Sequence, residues 1–149
     1  MVEYSSELHK RCFPFLDKVD AEALLRAMDS SSILAGDVLY SINDAADCLY
    51  VLVAGRIAVQ KFTGFGSRMQ VVALLDPGAP IGEGGLLEAQ TRGSMLSAVV
   101  DSHLLSLSRQ SFAELTEIYP SLAVKILKWT LGRLSLRLKK SSERLAHVM

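Results

Sequence analysis

Asp44-Ala45-Ala46-Asp47-Cys48-Leu49-Tyr50-Val51-Leu52-Val53-Ala54-Gly55-Arg56-Ile57 is the stretch on which the fold turns. Its apolar centre, Leu49–Val53, is too short for a helix and rich in β-formers, and Ala54-Gly55 closes it as a turn. Working outward, the same rhythm repeats. Short β-rich runs (Ile33-Leu34, Val38–Tyr40, Ile57–Phe62, Met69–Leu75, Ser94–Val100 and His103–Ser108) alternate with turn formers such as Ala35-Gly36-Asp37, Asn43-Asp44 and Asp76-Pro77-Gly78. Many short strands at spacings of around ten residues predict a barrel or roll. Gly64 and Gly66 predict a hairpin tip.

Helical periodicity flanks this β-rich centre. Residues 5–29 carry Leu16, Val19, Ala23, Leu24 and Ala27 at three-to-four spacing, and Pro14 divides them into a short first helix and a second beginning near Asp20. After Ser108, Ser111 with Glu114 three residues on predicts a capping box for a helix ending before Pro120. Pro120 suits the first turn of a last helix running to about His147, roughly 40 Å long. Val124, Leu127, Leu131, Leu134, Leu138, Ser141, Leu145 and Val148 form a heptad seam along it, and Leu122, Ile126, Trp129 and Leu136 form a second stripe. One face covers the roll. The seam Leu127, Leu131, Leu134, Leu138 and Leu145 is left for a second copy, so we expect a homodimer or a protein partner. The fold class is therefore α+β, mainly β: an eight-stranded antiparallel β-roll or jelly roll over 33–108, flanked by N-terminal helices and by helices over 111–147. The whole chain, 1–149, forms one domain.

Bulk properties exclude several functions. Sixteen Lys and Arg offset sixteen Asp and Glu, which gives no general electrostatic case for DNA or membrane binding. Cys12 and Cys48 cannot make a four-thiolate cluster, and two cysteines suit reduced thiols in the cytoplasm. No apolar stretch reaches the ~18 residues of a membrane span, and Met1-Val2-Glu3-Tyr4 lacks a signal-peptide pattern. No nucleophile–base pair, metal-ligand spacing or Gly-Lys-Ser/Thr phosphate loop occurs, so an enzyme is not expected. His9, His103 and His147 are scattered, which leaves haem and metal without support, and no cofactor is expected. No helix-turn-helix follows the last helix, so no DNA-binding domain is expected in this chain.

Residues 78–93 break the strand rhythm. Gly82-Glu83-Gly84-Gly85-Leu86-Leu87, followed by Arg92-Gly93-Ser94, is too glycine-rich for a strand and too short for a full helix, and predicts a loop with one helical turn. Such a turn offers amide N–H groups, and glycine lets a ligand approach the backbone. Arg92 supplies charge-assisted bonds to phosphate oxygens, worth ~1.5–3 kcal/mol each against ~0.3–1 for a helix dipole. Glu83 repels phosphate, and its natural partner is a sugar hydroxyl. The combination describes a ribose phosphate. A Glu83–Arg92 salt bridge within a purely structural loop is the competing reading.

Ala35-Gly36-Asp37-Val38-Leu39-Tyr40, the Asp44–Ile57 run, Leu75-Asp76-Pro77-Gly78, Gly82-Glu83 and Arg92, in that order, closely resemble the cyclic-nucleotide-binding domain family. That family includes catabolite-activator-type regulators and the regulatory subunits of the cyclic-AMP kinase. The resemblance covers about residues 10–140 and implies a phosphate-binding cassette over 81–94. It implies that Arg92 pairs with the cyclic phosphate and Glu83 with the ribose hydroxyl. It further implies that amides of Gly84, Gly85 and Ser94 hold the ring, and that the last helix moves as a lid, with Trp129 or a neighbour on that helix as a base contact; a core anchor on the roll is the competing, and favoured, reading of Trp129. Gly84 stands where the family has a bulky apolar residue, and Gly85 where it has a small non-glycine one. Gly93 replaces Ala, Ser or Thr. A Thr there would favour guanine, so Gly93 leans toward cAMP over cGMP. A non-catalytic cAMP sensor is thus expected, against a ligand-independent dimer or scaffold with a degenerate cassette.

Overall fold

The Leu49–Val53 run reads as continuously apolar because its strand is buried on both faces. In the computed structural model, which describes residues 1–64 and 68–148, this strand is β4 (Cys48–Ala54). Its side chains alternate between two cores, as a period of two requires. Leu49, Val51 and Val53 pack under the helices with Phe13, Leu24, Leu105, Leu107 and Ile126. Leu52 packs inside the roll with Ile57, Ile81, Leu96 and Leu104.

The described residues hold ten strands: β1 (Asp29–Ile33), β2 (Val38–Tyr40), β3 (Ala45–Ala46), β4, β5 (Ile57–Phe62), β6 (Met69–Leu75), β7 (Pro80–Ile81), β8 (Gln90–Thr91), β9 (Met95–Ala98) and β10 (Ser102–Ser108). They form two four-stranded sheets, β1-β10-β4-β7 and β2-β9-β5-β6, and a two-stranded one, β3-β8. Every pairing is antiparallel. The seven β-rich runs read in the sequence appear as β1, β2, β4, β5, β6, β9 and β10, and β3, β7 and β8, of two residues each and too short to carry a periodic signal, bring the total to ten against the expected eight. β1 starts at Asp29, inside the stretch read as helical to residue 29. Its Asp-Ser-Ser-Ser-Ile sequence has no apolar alternation, and pairing with β10 imposes the conformation. Gly66 of the expected hairpin tip lies outside the described residues.

Helices α1 (Ser6–Cys12) and α2 (Lys18–Ala27) are separated at Pro14 as expected, and α2 is capped by Asp17, whose carboxylate accepts from the Asp20 amide. Helix α3 (Arg109–Ile118) starts one turn earlier than read. Ser108, not Ser111, is its N-cap, and Ser108 Oγ accepts from the Ser111 amide at 3.0 Å. Ser111 with Glu114 imitates a capping box but sits inside the helix. Replacing Ser108 with Ala is expected to cost about 1 kcal/mol in urea denaturation, and Ser111→Ala close to nothing. The reverse order would place the cap at Ser111.

Helix α4 (Pro120–Val148) is about 44 Å long. Leu122, Ala123, Ile126 and Thr130 are buried, and Lys125 pairs with Asp20 of α2 at 2.7 Å. From Leu131 to Val148 every residue is exposed. The five seam leucines are between 40% and 70% exposed. Leu136, read as part of the roll-facing stripe, is itself 49% exposed. Among the described residues no helix is long and apolar enough to cross a membrane.

Candidate functional site

The site is assembled by β3, β8 and the turn between β7 and β9. The Asn43 amide donates to the Arg92 carbonyl and the Arg92 amide to the Asp44 carbonyl, both at 2.8 Å, which fixes the backbone of Arg92 directly after β8. Its side chain turns inward and is 6% exposed. Nη1 donates to the Gly82 carbonyl at 2.9 Å and Nη2 to the Cys48 carbonyl at 2.8 Å. The guanidinium lies over the Tyr40 ring, 4.2 Å from its centroid, and Tyr50 stacks behind Tyr40. Among the described residues no carboxylate lies within ion-pair distance of Arg92. A buried cation is costly without compensation. Here two carbonyl dipoles and an aromatic face supply part of it and leave the positive charge uncancelled. Of the five N–H donors of a guanidinium, two are spent on these carbonyls.

The single helical turn is present as a 3₁₀ turn, Glu83–Leu86. Gly82, before it, has φ +68°, and a Cβ there would collide with Arg92 Nη1, so glycine at this position makes room for the guanidinium. A Cβ on Gly85 would run into the backbone of Cys48, whereas one on Gly84 would meet open space. Glycine at 85 therefore allows the turn to pack directly on β4. Arg109 closes the far end by donating to the Leu87 carbonyl at 3.2 Å.

Gly82, Glu83, Gly84, Arg92, Gly93 and Ser94 surround one cavity of about 200 Å³, with Tyr40, Ala46, Thr91 and Arg137 completing its lining. Gly85 faces β4 and does not line it. Its amide is also committed, donating to the Gly82 carbonyl at 3.0 Å, so the expected contact from Gly85 to a ligand ring is not available in this conformation. Glu83 is not bridged to Arg92. Its Oε1 accepts from Arg137 Nη2 of α4 at 2.7 Å. Trp129 is not in the cavity. Its ring stacks on Phe15 at 5.0 Å and meets Phe13 edge-on at 6.0 Å, as an anchor between α4 and the N-terminal segment, which agrees with the core-anchor reading and not with the base contact.

Burial pushes the Tyr40 hydroxyl above its usual pKa, with Arg92 partly offsetting the rise, and burial likewise raises the Cys48 thiol. Both stay neutral at physiological pH, so Arg92 is not neutralised by its neighbours. Sequence reasoning missed Tyr40 and Arg137 as lining residues. For Arg137 the signal was present: the inward stripe Leu122, Ile126, Trp129 continues at helical spacing through Arg133 to Arg137. Among the described residues no cluster of metal-ligating side chains is found.

In chemical terms the cavity offers one uncompensated guanidinium at its base, a carboxylate acceptor on one side and close-approaching glycine backbone. That set suits a monoanion carrying a hydroxyl. Its volume is below the ~300–1,000 Å³ of pockets that enclose drug-sized ligands.

Comparison with known proteins bears on the same region. Solved structures of similar shape include the catabolite activator protein of Thermus thermophilus, with a TM-score of 0.75 and 26% identity over 96% of this chain and 63% of that one. The regulatory domain of a Toxoplasma gondii protein kinase A, solved with cAMP, has a TM-score of 0.65 and 26% identity over 75% of this chain and 46% of that one. A cyclic nucleotide-binding domain from Methylobacillus flagellatus has a TM-score of 0.85 over 96% and 80% of the two chains, at 23% identity, and so speaks to fold alone. Curated relatives include a lysophospholipase of Aspergillus terreus, 28% identical over 102 residues, which are 68% of this chain and 7% of that protein. A mouse patatin-like phospholipase domain-containing protein is 27% identical over 117 residues, 78% of this chain and 8% of that one. This chain thus spans only a small part of the relatives' length. The description "cyclic nucleotide-binding domain" matches residues 31–119, from the middle of β1 through β10 to the end of α3. The chain belongs to the cyclic nucleotide-binding domain family.

Proposed function

We propose that this chain is a non-catalytic regulatory module that binds a cyclic nucleotide, cAMP in preference to cGMP, and signals through α4. The observation that carries the reading is Arg92: a buried guanidinium with no carboxylate partner, lining a cavity with Glu83 and the glycines of the cassette. In this reading the cyclic phosphate sits on Arg92, with amides of Gly84 and Ser94 assisting, and the ribose hydroxyl donates to Glu83. Gly93 offers no hydroxyl to guanine, which underlies the preference for cAMP. The two free, buried cysteines suit a reducing cytoplasmic setting.

Leu127, Leu131, Leu134, Leu138 and Leu145 provide the output surface, which we assign to a homodimer or to a partner protein. Beside them lies an apolar groove of about 410 Å³ between the 3₁₀ turn and α4, lined by Gly84, Leu86, Leu87 and Leu131 among others. The exposed seam also favours a second reading, a dimer or scaffold that forms regardless of ligand. Isothermal titration with cAMP and cGMP, paired with sedimentation, separates them. The sensor reading predicts one-site heat with tighter binding of cAMP and a sedimentation coefficient that responds to it. No heat at millimolar nucleotide, together with a ligand-indifferent dimer, would leave the scaffold reading.

A further inference from the structure

We propose that Arg137 is a latch: by holding Glu83 it fastens the distal half of α4 to the roll and keeps the cavity small until a ligand displaces it. The first part rests on contacts alone, and the ligand part rests on the reading of the cavity given above.

Beyond Thr130, α4 buries no residue. The side-chain hydrogen bond and ion pair from Arg137 to Glu83 is the one such tie, among the described residues, between residues 131–148 and the rest of the chain. The face that is apolar and buried in the first half of α4 turns basic in the second. Arg133, Arg137, Lys140 and Arg144 follow at spacings of four, three and four, so all lie on one side of the helix. That side fronts open clefts against β6 and the segment after it: Arg133, Arg137 and Lys140 face Leu74, Asp76 and Pro77, and Arg144 faces Val72. This half is therefore held by no buried apolar side chain, only by partly exposed contacts such as those of Leu134 and Leu136. Arg137 also lines the cavity itself, and the carboxylate it grips is the one hydroxyl acceptor among the cavity's side chains that carries charge. Glu83 is 19% exposed, so the pair is partly shielded from water on one side only, while Arg137 is 48% exposed and free to swing out.

A ligand hydroxyl that takes the Glu83 carboxylate competes with Arg137 for it, and Arg137, which lines the same cavity, is the side chain displaced. Once the pair is broken, residues 131–148 lose that tie. Filling the cavity and freeing α4 are then one event, and the coupling is reciprocal: whatever undocks α4 opens the cavity. A half-exposed ion pair sets the scale, so removing it is expected to tighten ligand binding about two- to fivefold.

The test is hydrogen exchange on the full chain without ligand, comparing wild type with Arg137→Gln, Arg137→Lys and Glu83→Gln. The latch predicts faster exchange over residues 133–148 in Arg137→Gln and Glu83→Gln, partial restoration in Arg137→Lys, and no change over 120–130. Unchanged exchange over 133–148 in both Gln variants would overturn it. Titration with cAMP then tests the ligand part. Arg137→Gln binding more tightly than wild type supports the latch, and weaker binding would make Arg137 a ligand contact and refute displacement. Were wild type to bind no cyclic nucleotide, the sensor reading would fail, while the exchange result would still decide whether the fastening exists.

Discussion

Replacing Arg92 with Ala is expected to weaken cAMP binding by at least about a hundredfold, because two charge-assisted bonds to a phosphate at ~1.5–3 kcal/mol each are removed. The effect is large because nothing nearby can substitute. Arg92 is buried, and Arg137, the other cation lining the cavity, is half-exposed on α4 and in the proposed latch swings away from the cavity when a ligand takes Glu83. Arg92→Lys is expected to fall in between, since an ammonium keeps the charge but cannot reproduce a fork that spans the Gly82 and Cys48 carbonyls. Stability should move little in either variant. Loss of a buried, uncancelled cation offsets loss of the donors to those two carbonyls, and circular dichroism melts would monitor this. Isothermal titration measures the affinity. Unchanged binding by a folded Arg92→Ala protein would mean the anion sits elsewhere.

The second large effect concerns stability, and it comes from a pair of adjacent glycines that look equivalent in sequence. Gly85→Ala is expected to destabilise the protein by about 2–3 kcal/mol, because the added Cβ meets the Cys48 backbone and neither β4 nor the 3₁₀ turn has a flexible side chain to move aside. Gly84→Ala meets open space and should be neutral or stabilising by up to about 1 kcal/mol. Urea unfolding of the two variants gives the comparison directly. Equal effects would mean that the turn does not pack on β4 as described. The contrast also bears on the idea of a decayed cassette: Gly85 has a positive structural reason, and Gly84 has none that the structure explains.

How far the sequence could be read follows from how each feature is encoded. β5 and β6 match their apolar runs residue for residue, because each is an unbroken run rich in β-formers bounded by turn residues; neither alternates in burial, and β6 is exposed from Gln70 to Leu74. β1 was legible only at Ile33, since its serines take their conformation from β10 and not from their own pattern. The Ser108 cap was obscured by a second serine three residues on with a glutamate in capping-box position, a case where two local signals compete and the backbone chooses one. In the site, Arg92, Glu83 and the glycines were legible as a chemical set. Which of them bond to each other was not. The Glu83–Arg137 pair joins residues 54 apart in sequence, and it depends on the angle at which α4 leaves the roll. Trp129 was legible as an aromatic on an inward stripe, but its partners Phe13 and Phe15 lie far away in the chain, beside Pro14, where no periodicity announces them.

The family assignment rests on residues 31–119, while the proposed output lies beyond them, in the half of α4 that carries both the leucine seam and Arg137. The small size of the cavity is consistent with this division. In the reading proposed above, the cassette supplies a phosphate and sugar site of fixed geometry, and the helix decides how much more of a ligand can enter.

Electron density from crystals soaked in cAMP tests the central proposition most directly. A phosphodiester group between the Arg92 guanidinium and the backbone of Gly84 and Ser94, with its sugar hydroxyl on Glu83, is the predicted result. A fully occupied nucleotide bound away from Arg92, or an unchanged cavity at saturating ligand, would contradict it.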